Sequence, residues 1–410
     1  MKAITRVQLS FMMFLEFFIW GAWFVTLGTF LGSNLQASGG QIGQAFSTQS
    51  WGAIIAPFVI GLIADRFFNA ERILAVLHLI GAFLMYQMAN ASDYAVFYPY
   101  VLGYMIAYMP TLALVNSVSF NQMSDPAKEF STIRVWGTIG WIVAGLAISY
   151  LFSWDAAEAI AGGALKNTFL MAASASMVLG VFSFFLPKTP PKVDKGEKVG
   201  IRDILGFEAI GLLKDRNFLT FFISSILICI PLAFYYQQTN PFLIEVGMEN
   251  ATGKMTMGQI SEVVFMLLLP IFLKRYGIKT TLLLGMAAWA LRYLLFAFGD
   301  AGSLSFMLIM GIALHGICYD FFFVSGQIYT DSKAGPKIKS AAQGLITLAT
   351  YGLGMLVGFW VAGKISDSNL LADNTHLWKN IWVFPAVFAA AVFVLFGLVF
   401  KNEKIETPDA

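Results

Sequence analysis

Residues 188–217 read KTPPKVDKGEKVGIRDILGFEAIGLLKDRN, and seven of them are Lys or Arg. This charged stretch separates two tracts that carry little charge and consist mainly of apolar runs of about 20 residues. A helix rises 1.5 Å per residue, so such a run crosses the ~30 Å hydrocarbon core of a bilayer. Reading outward in both directions gives twelve runs: 8–31, 42–64, 73–90, 94–122, 131–153 and 168–187, then 218–244, 255–273, 280–298, 303–325, 338–363 and 378–400. They are continuously apolar. Strands of a transmembrane barrel would alternate apolar and polar residues, so the runs are expected to be helices. The expected organisation is a six-helix half at 1–187, a linker at 188–217, a second six-helix half at 218–400 and a tail at 401–410.

Composition supports this reading. The chain has 410 residues, of which 58% are hydrophobic and 12% are charged. Its mean hydropathy is +0.71. A soluble domain carries about 25% charged residues, and this chain has too little polar side chain to cover a globule. The 37 glycines suit helices that must approach closely within lipid. A net charge of +2 argues against nucleic acid as a partner. Cys229 and Cys318 lie in apolar runs and build neither a metal ribbon nor a disulfide framework. His78, His315 and His376 lack metal-ligand spacing. No phosphate-cradling glycine loop or nucleophile elbow is present, so no cofactor or metal is expected. The opening MKAITRVQLSFMMFLEFF has no small-residue cleavage site and reads as a first span.

The basic residues orient the chain. With the N-terminus inside, 20 of the 26 Lys and Arg fall in inner segments, four in outer loops, and Arg134 and Arg292 within spans. This positive-inside bias places both termini in the cytoplasm. In the linker, Pro190 and Pro191 suggest a flexible start. Ile201, Leu205, Ala209 and Leu212 suggest either a short amphipathic helix lying on the membrane or a plain tether. The two halves echo one another. PFVIGLIADRFFNAERILAVL between spans two and three and LPIFLKRYGIKTTLLLG between spans eight and nine each join an apolar helix end, a basic turn and a new helix. Two six-span halves are a transporter architecture.

GLIADRFFNAER, with Gly61, Asp65, Arg66 and Arg72, resembles the loop 2–3 signature of the major facilitator superfamily, although Phe68 and Asn69 stand where Gly-Arg is usual. FLEFFIWGAWFVTLGTF, YMPTLALVNSVSF, IRVWGTIGWI, GQISEVVF, LPIFLKRYGIK and YDFFFVSG, in that order along the chain, resemble the bacterial nucleoside:proton symporter family of that superfamily. The resemblance implies a monomeric, multi-pass protein of the bacterial inner membrane. It would import nucleosides with protons by alternating access, with substrate bound near midplane between the halves. By motif match, the family's substrate contacts fall on Arg134 and Thr138, on Gln259 and Glu262, and on Tyr319 and Asp320. The sequence departs from the family pattern at Ala233 and Tyr236, where polar amides are familiar, at His315, where a Tyr is familiar, and at Glu16, where a Gln is familiar.

The same positions stand out on physical grounds. An ionisable group at bilayer depth costs about 2.5–3.5 kcal/mol on insertion scales, so it marks function by default. The spans hold Glu16, Arg134, Glu262, Arg292 and Asp320; fully ionised, this set is net negative by one charge, which one bound proton neutralises. Arg134 offers a fixed fork of donors and shares a helix face with Thr138 and Trp141; it is read as a substrate ligand or as a gate charge. Gln259 and Glu262 share a face and suit ribose hydroxyls or base N–H groups, with Glu262 also a candidate proton carrier. Asp320 is read as a proton-coupling acid or a direct ligand. His315 and Tyr319 line one face, and His315 is either a titrating group or a packing residue. Tyr235, Tyr236, Gln237, Gln238 and Asn240, before Pro241, suit a polyhydroxylated ligand or a polar outer vestibule. Trp20 and Trp23 either stack a base or pack. Glu16 is a second protonation site or a partner of Arg134, Arg292 is structural, and Asp65 and Arg66 form a conformational latch. The rival readings are a sugar, nucleobase or drug carrier on the same fold, and a non-transporting sensor. An enzyme is disfavoured, because the spans lack paired His, Ser-His or metal spacing.

Overall fold

The computed structural model describes residues 1–59, 68–191 and 207–403. Among these, regular structure is helical apart from one isolated bridge between Leu370 and His376. In chain order the helices are α1 (Ala3–Trp23), α2 (Leu27–Asn34), α3 (Gly39–Val59), α4 (Ala70–Ala89), α5 (Tyr94–Asn121), α6 (Pro126–Leu146), α7 (Ala157–Ala161) and α8 (Lys166–Ser183). After them come α9 (Arg216–Glu245), α10 (Ala251–Phe298), α11 (Ser305–Ala313), α12 (His315–Tyr319), α13 (Ser325–Thr347), α14 (Met355–Ser368) and α15 (Trp378–Val399). Nine helical stretches among the described residues are long and apolar enough to cross a membrane. The chain is therefore an all-α, multi-pass membrane protein, since in lipid a backbone satisfied within its own helix is what makes such a stretch viable.

Two long helices are each interrupted at a glycine. Within α10 the backbone turns at Gly277 (φ 76°), and within α13 at Gly335 (φ 66°). Positive φ is cheap only for glycine, so each break sits where the sequence permits it. Asp93 caps α5 by accepting from the Val96 N–H at 3.0 Å, and Asp215 caps α9 by accepting from the Phe218 N–H at 2.9 Å.

The chain forms two compact units. Unit 1 contains Met1–Val199 with Glu249–Thr256, and unit 2 contains Gly200–Met248 with Met257–Ala410. In unit 1, α1 and α6 pack at very short range through glycines. A Cβ on Gly140 would lie 2.2 Å from the Phe14 carbonyl oxygen, and one on Gly21 would lie 3.0 Å from the Trp141 Cα. Close backbone approach substitutes for a hydrophobic drive that lipid does not provide.

Two linker expectations need correction or limitation. Ile201 and Leu205 lie outside the described residues. Phe207–Lys214 is a 3₁₀ helix, and its Ala209 is buried with Ala342 and Leu345 while Leu212 packs alongside. That apolar face is turned to the protein and not to a membrane surface, because α13 offers it an apolar partner. Asp65 and Arg66, the expected latch, also lie outside the described residues.

Candidate functional site

Unit 1 presents Arg134 and Thr138 on α6, one turn apart, both half-buried. The Arg134 guanidinium lies 4.0 Å from the Phe17 ring centre, over the space left by Gly137. Trp20 stands edge-on to Trp141 and to Tyr108, each at 5.6 Å between ring centres. A cation held on an aromatic face beside two indoles can meet a planar, polar ligand by stacking and by donated hydrogen bonds. Trp23, by contrast, is fully buried against Tyr104 and Phe169 and acts as packing.

Glu16 is fully buried on α1. Its Oε2 lies 2.8 Å from His78 Nε2, and its Oε1 accepts from the Thr111 hydroxyl at 2.6 Å. The sequence reading passed over His78, whose only signal was a single imidazole inside the apolar stretch LAVLHLIGA.

Unit 2 gathers most of the remaining candidates around a broken helix. α11 ends at Ala313, α12 covers only His315–Tyr319, and Asp320–Val324 is a π-helical turn. Ser261 on α10 reconciles this break: its hydroxyl donates to the Ala313 carbonyl and accepts the Gly316 N–H at 2.9 Å. Gly316 permits the approach, since a Cβ there would lie 2.6 Å from the Glu262 nitrogen. Glu262, half-buried, thus sits directly beside the break, and Gln259 is one turn earlier on the same helix. π-turns inside α-helices recur at functional positions because they re-aim one side chain. Asp320, on this turn, is fully buried, with neither carboxylate oxygen hydrogen-bonded within the protein.

His315 is buried, stacks on Tyr235 at 5.0 Å and lies 5.7 Å from Tyr319. The Tyr319 and Tyr351 hydroxyls are 2.7 Å apart. Gln237 on α9 is fully buried and makes no hydrogen bond through its amide oxygen or nitrogen, whereas Gln238 donates to the Ala362 carbonyl at 3.5 Å. Tyr236, half-buried, is on the same helix. Arg292 is fully buried on α10. Its Nε donates to the Gly311 carbonyl at 2.8 Å, and its guanidinium lies 3.6 Å from the Tyr235 ring centre. It braces the end of α11 at the helix break.

Unsatisfied buried amide, imidazole and carboxylate groups carry a desolvation cost, so each marks a position that calls for an explanation. In unit 2 the group comprises Gln237, His315 Nδ1 and Asp320. It offers both donors and acceptors, together with the Tyr319 and Tyr351 hydroxyls, and suits a neutral ligand rich in hydroxyl and amide groups. Among the described residues no group of three His, Cys, Asp or Glu could hold a metal ion.

The sequence model of the family described as Nucleoside H⁺ symporter matches residues 2–405. The chain is 45% identical to the putative nucleoside transporter YegT of Escherichia coli (strain K12), over 98% of this chain and 95% of that one. It is 33% identical to the xanthosine permease of the same strain, over 96% of each chain. Among solved structures, a mutant of the nucleoside transporter NupG superposes with a TM-score of 0.89 at 30% identity, over 97% of this chain and 100% of that one. A bacterial homologue of the lysosomal transporter Spinster superposes with a TM-score of 0.73 at 13% identity and shares the fold alone.

Proposed function

Since this chain belongs to the nucleoside H⁺ symporter family, we propose that it carries nucleosides across a membrane. It is a secondary transporter and not an enzyme. It carries nucleosides together with protons by alternating access, and the proton gradient supplies the driving force. In unit 1 the proposed substrate contacts are Arg134 and Thr138, with Trp20 and Trp141 available for stacking. In unit 2 they are Tyr236, Gln237, Gln259, Glu262, His315, Tyr319 and Asp320. Proton exchange is assigned to Glu262 and Asp320, with Glu16 as a further site. The observation that carries this assignment is Asp320, a fully buried carboxylate with no hydrogen bond to the protein. Such a group is stable when protonated and costly when ionised, so loading and unloading a proton there alters the stability of the surrounding helices.

The proposed topology has twelve crossings. The nine apolar stretches become twelve when Ala251–Phe298 is divided at Gly277 and when Gly39–Val59 and Lys166–Ser183 are added. The Lys and Arg distribution then places both termini in the cytoplasm. The reading includes the bacterial inner membrane as location, a monomer as working unit, and Asp65 and Arg66 as a latch.

Uptake of radiolabelled uridine and adenosine into proteoliposomes tests the function. Accumulation under an inward proton gradient that collapses with a protonophore is the expected result. Saturable uptake indifferent to the gradient would remove the coupling. Absence of nucleoside uptake, with uptake of another solute, would remove the substrate assignment.

A further inference from the structure

Glu16 on α1 and His78 on α4 are both buried within unit 1, with Oε2 and Nε2 2.8 Å apart. The bonds around the pair limit where protons can sit. Thr111 Oγ1 donates to Glu16 Oε1 at 2.6 Å, and the Tyr108 hydroxyl donates to the Glu16 carbonyl at 2.7 Å. Beyond the imidazole, Ser176 Oγ is 3.1 Å from His78 Nδ1 and 2.9 Å from the His78 carbonyl oxygen. The serine hydroxyl has one hydrogen and two acceptors within reach.

Two arrangements satisfy these contacts. In the first, the Ser176 hydrogen points at the His78 carbonyl. Nδ1 then carries a hydrogen and donates to Oγ, and the Nε2–Oε2 contact needs a second proton, held by the ring or by the carboxyl. The pair is net neutral. In the second, the Ser176 hydrogen turns to Nδ1. Nε2 then carries the ring's one hydrogen and donates it to an ionised Glu16, and the pair is net negative by one charge. The two differ by one proton and one hydroxyl rotation. Both ring nitrogens and both carboxylate oxygens stay hydrogen-bonded in each, so neither state incurs the cost of an orphaned buried group.

The groups facing the pair are few. α5 contributes Tyr104 and Tyr108, whose rings stack at 5.4 Å. α6 contributes Arg134, whose guanidinium lies 4.0 Å from the ring centre of Phe17, the residue after Glu16 on α1. α8 contributes Ser176.

We propose that Glu16 and His78 form a proton-binding pair that takes up and releases one transported proton per cycle, with Ser176 as its hydroxyl switch. This rests on the reading of the chain as a nucleoside:proton symporter, and it deepens the assignment of Glu16 by naming His78 as its partner and Ser176 as the switch.

The experiment is uridine accumulation in proteoliposomes at a series of imposed pH differences. At steady state, the slope of log accumulation against the pH difference counts protons per nucleoside. Glu16→Gln is the informative variant. Its amide oxygen accepts from Thr111, its NH₂ donates to an unprotonated Nε2, and Nδ1–H donates to Ser176, so every bond survives and the exchangeable proton is gone. The expected result is a slope lowered by the contribution of one proton in Glu16→Gln and in His78→Gln. An unchanged slope in either variant overturns the proposal. Where neither variant yields folded protein, Ser176→Ala decides: a displaced pH profile of accumulation supports the pair, and an undisplaced one overturns it. A zero slope in the parent protein overturns proton symport itself, and the pair with it.

Discussion

The carboxylate of Asp155 accepts the backbone N–H of Thr252 at 3.0 Å, across 97 residues of chain. Its Oδ2 also accepts from the Ser149 hydroxyl, which in turn accepts the Gly253 N–H at 2.6 Å. The first turn of α10 therefore has its free amides satisfied from the segment that follows α6. Helix starts expose such amides, and a cap on them is worth about 1 kcal/mol, up to about 2. Asp155→Ala is expected to lower stability by that amount, read as a lowered melting temperature in detergent. Asp155→Asn, which keeps an acceptor, is expected to recover most of it. Equal losses in both would assign the effect to charge and not to capping.

Asp320 and Glu262 are expected to separate coupling from exchange. Asp320→Asn and Glu262→Gln should each lower proton-driven accumulation, which uptake into energised proteoliposomes measures. Asp320→Asn has no hydrogen bond to lose within the protein, so the folded fraction should match the parent. Full accumulation in both variants would sink the assignment.

Tyr235 lies between Arg292 and His315, at 3.6 Å from the guanidinium and 5.0 Å from the imidazole ring. Its hydroxyl has no hydrogen bond within the protein. Tyr235→Phe should therefore leave the melting temperature nearly unchanged. Tyr235→Leu removes the ring face on which a buried cation rests and is expected to cost about 2 kcal/mol. A large loss in Tyr235→Phe would show that the hydroxyl, and not the ring, is what matters.

Asp215 couples stability to acid pH. The Phe218 N–H first, and then the Lys333 ammonium at 2.9 Å, hold its carboxyl below the usual carboxylate range. A lowered folded value means that the contribution is complete above the ordinary value of 3.8 and is lost as pH falls through the lower folded value. A melting curve followed from neutral to acid pH should thus show a destabilising limb below about 4. Asp215→Asn keeps a cap oxygen but not the charge, so it should weaken that limb by lowering neutral-pH stability toward the parent's value at acid pH. An identical acid limb in the variant would place the titrating group elsewhere.

The sequence was most legible where the bilayer constrains it. The membrane-spanning helical class followed from continuous apolar runs. The break at Gly277 falls between two of those runs, 255–273 and 280–298, where a basic turn was expected. Asp320 was singled out because a carboxylate in an aromatic run needs an explanation, and it lies on a π-turn. The linker was less legible: the apolar face of Ala209 and Leu212 fits a membrane surface or a protein groove equally well, and helix periodicity does not distinguish them. His78 was invisible because a lone imidazole in an apolar helix looks like packing until its neighbour is known.

By itself the sequence determined that this chain is a bundle of membrane helices and which ionisable groups its spans contain. The reason is that hydrocarbon forbids an unbonded backbone and penalises every buried charge. Only the tertiary structure decided the partners: His78 for Glu16, Tyr235 and the Gly311 carbonyl for Arg292, and Ser261 for the break before Asp320. Helices that are apolar on every face carry no periodic signal of their rotation or depth. Side-chain pairs across them are set by close packing at glycines such as Gly140 and Gly316, where one helix can slide against another until its polar groups meet.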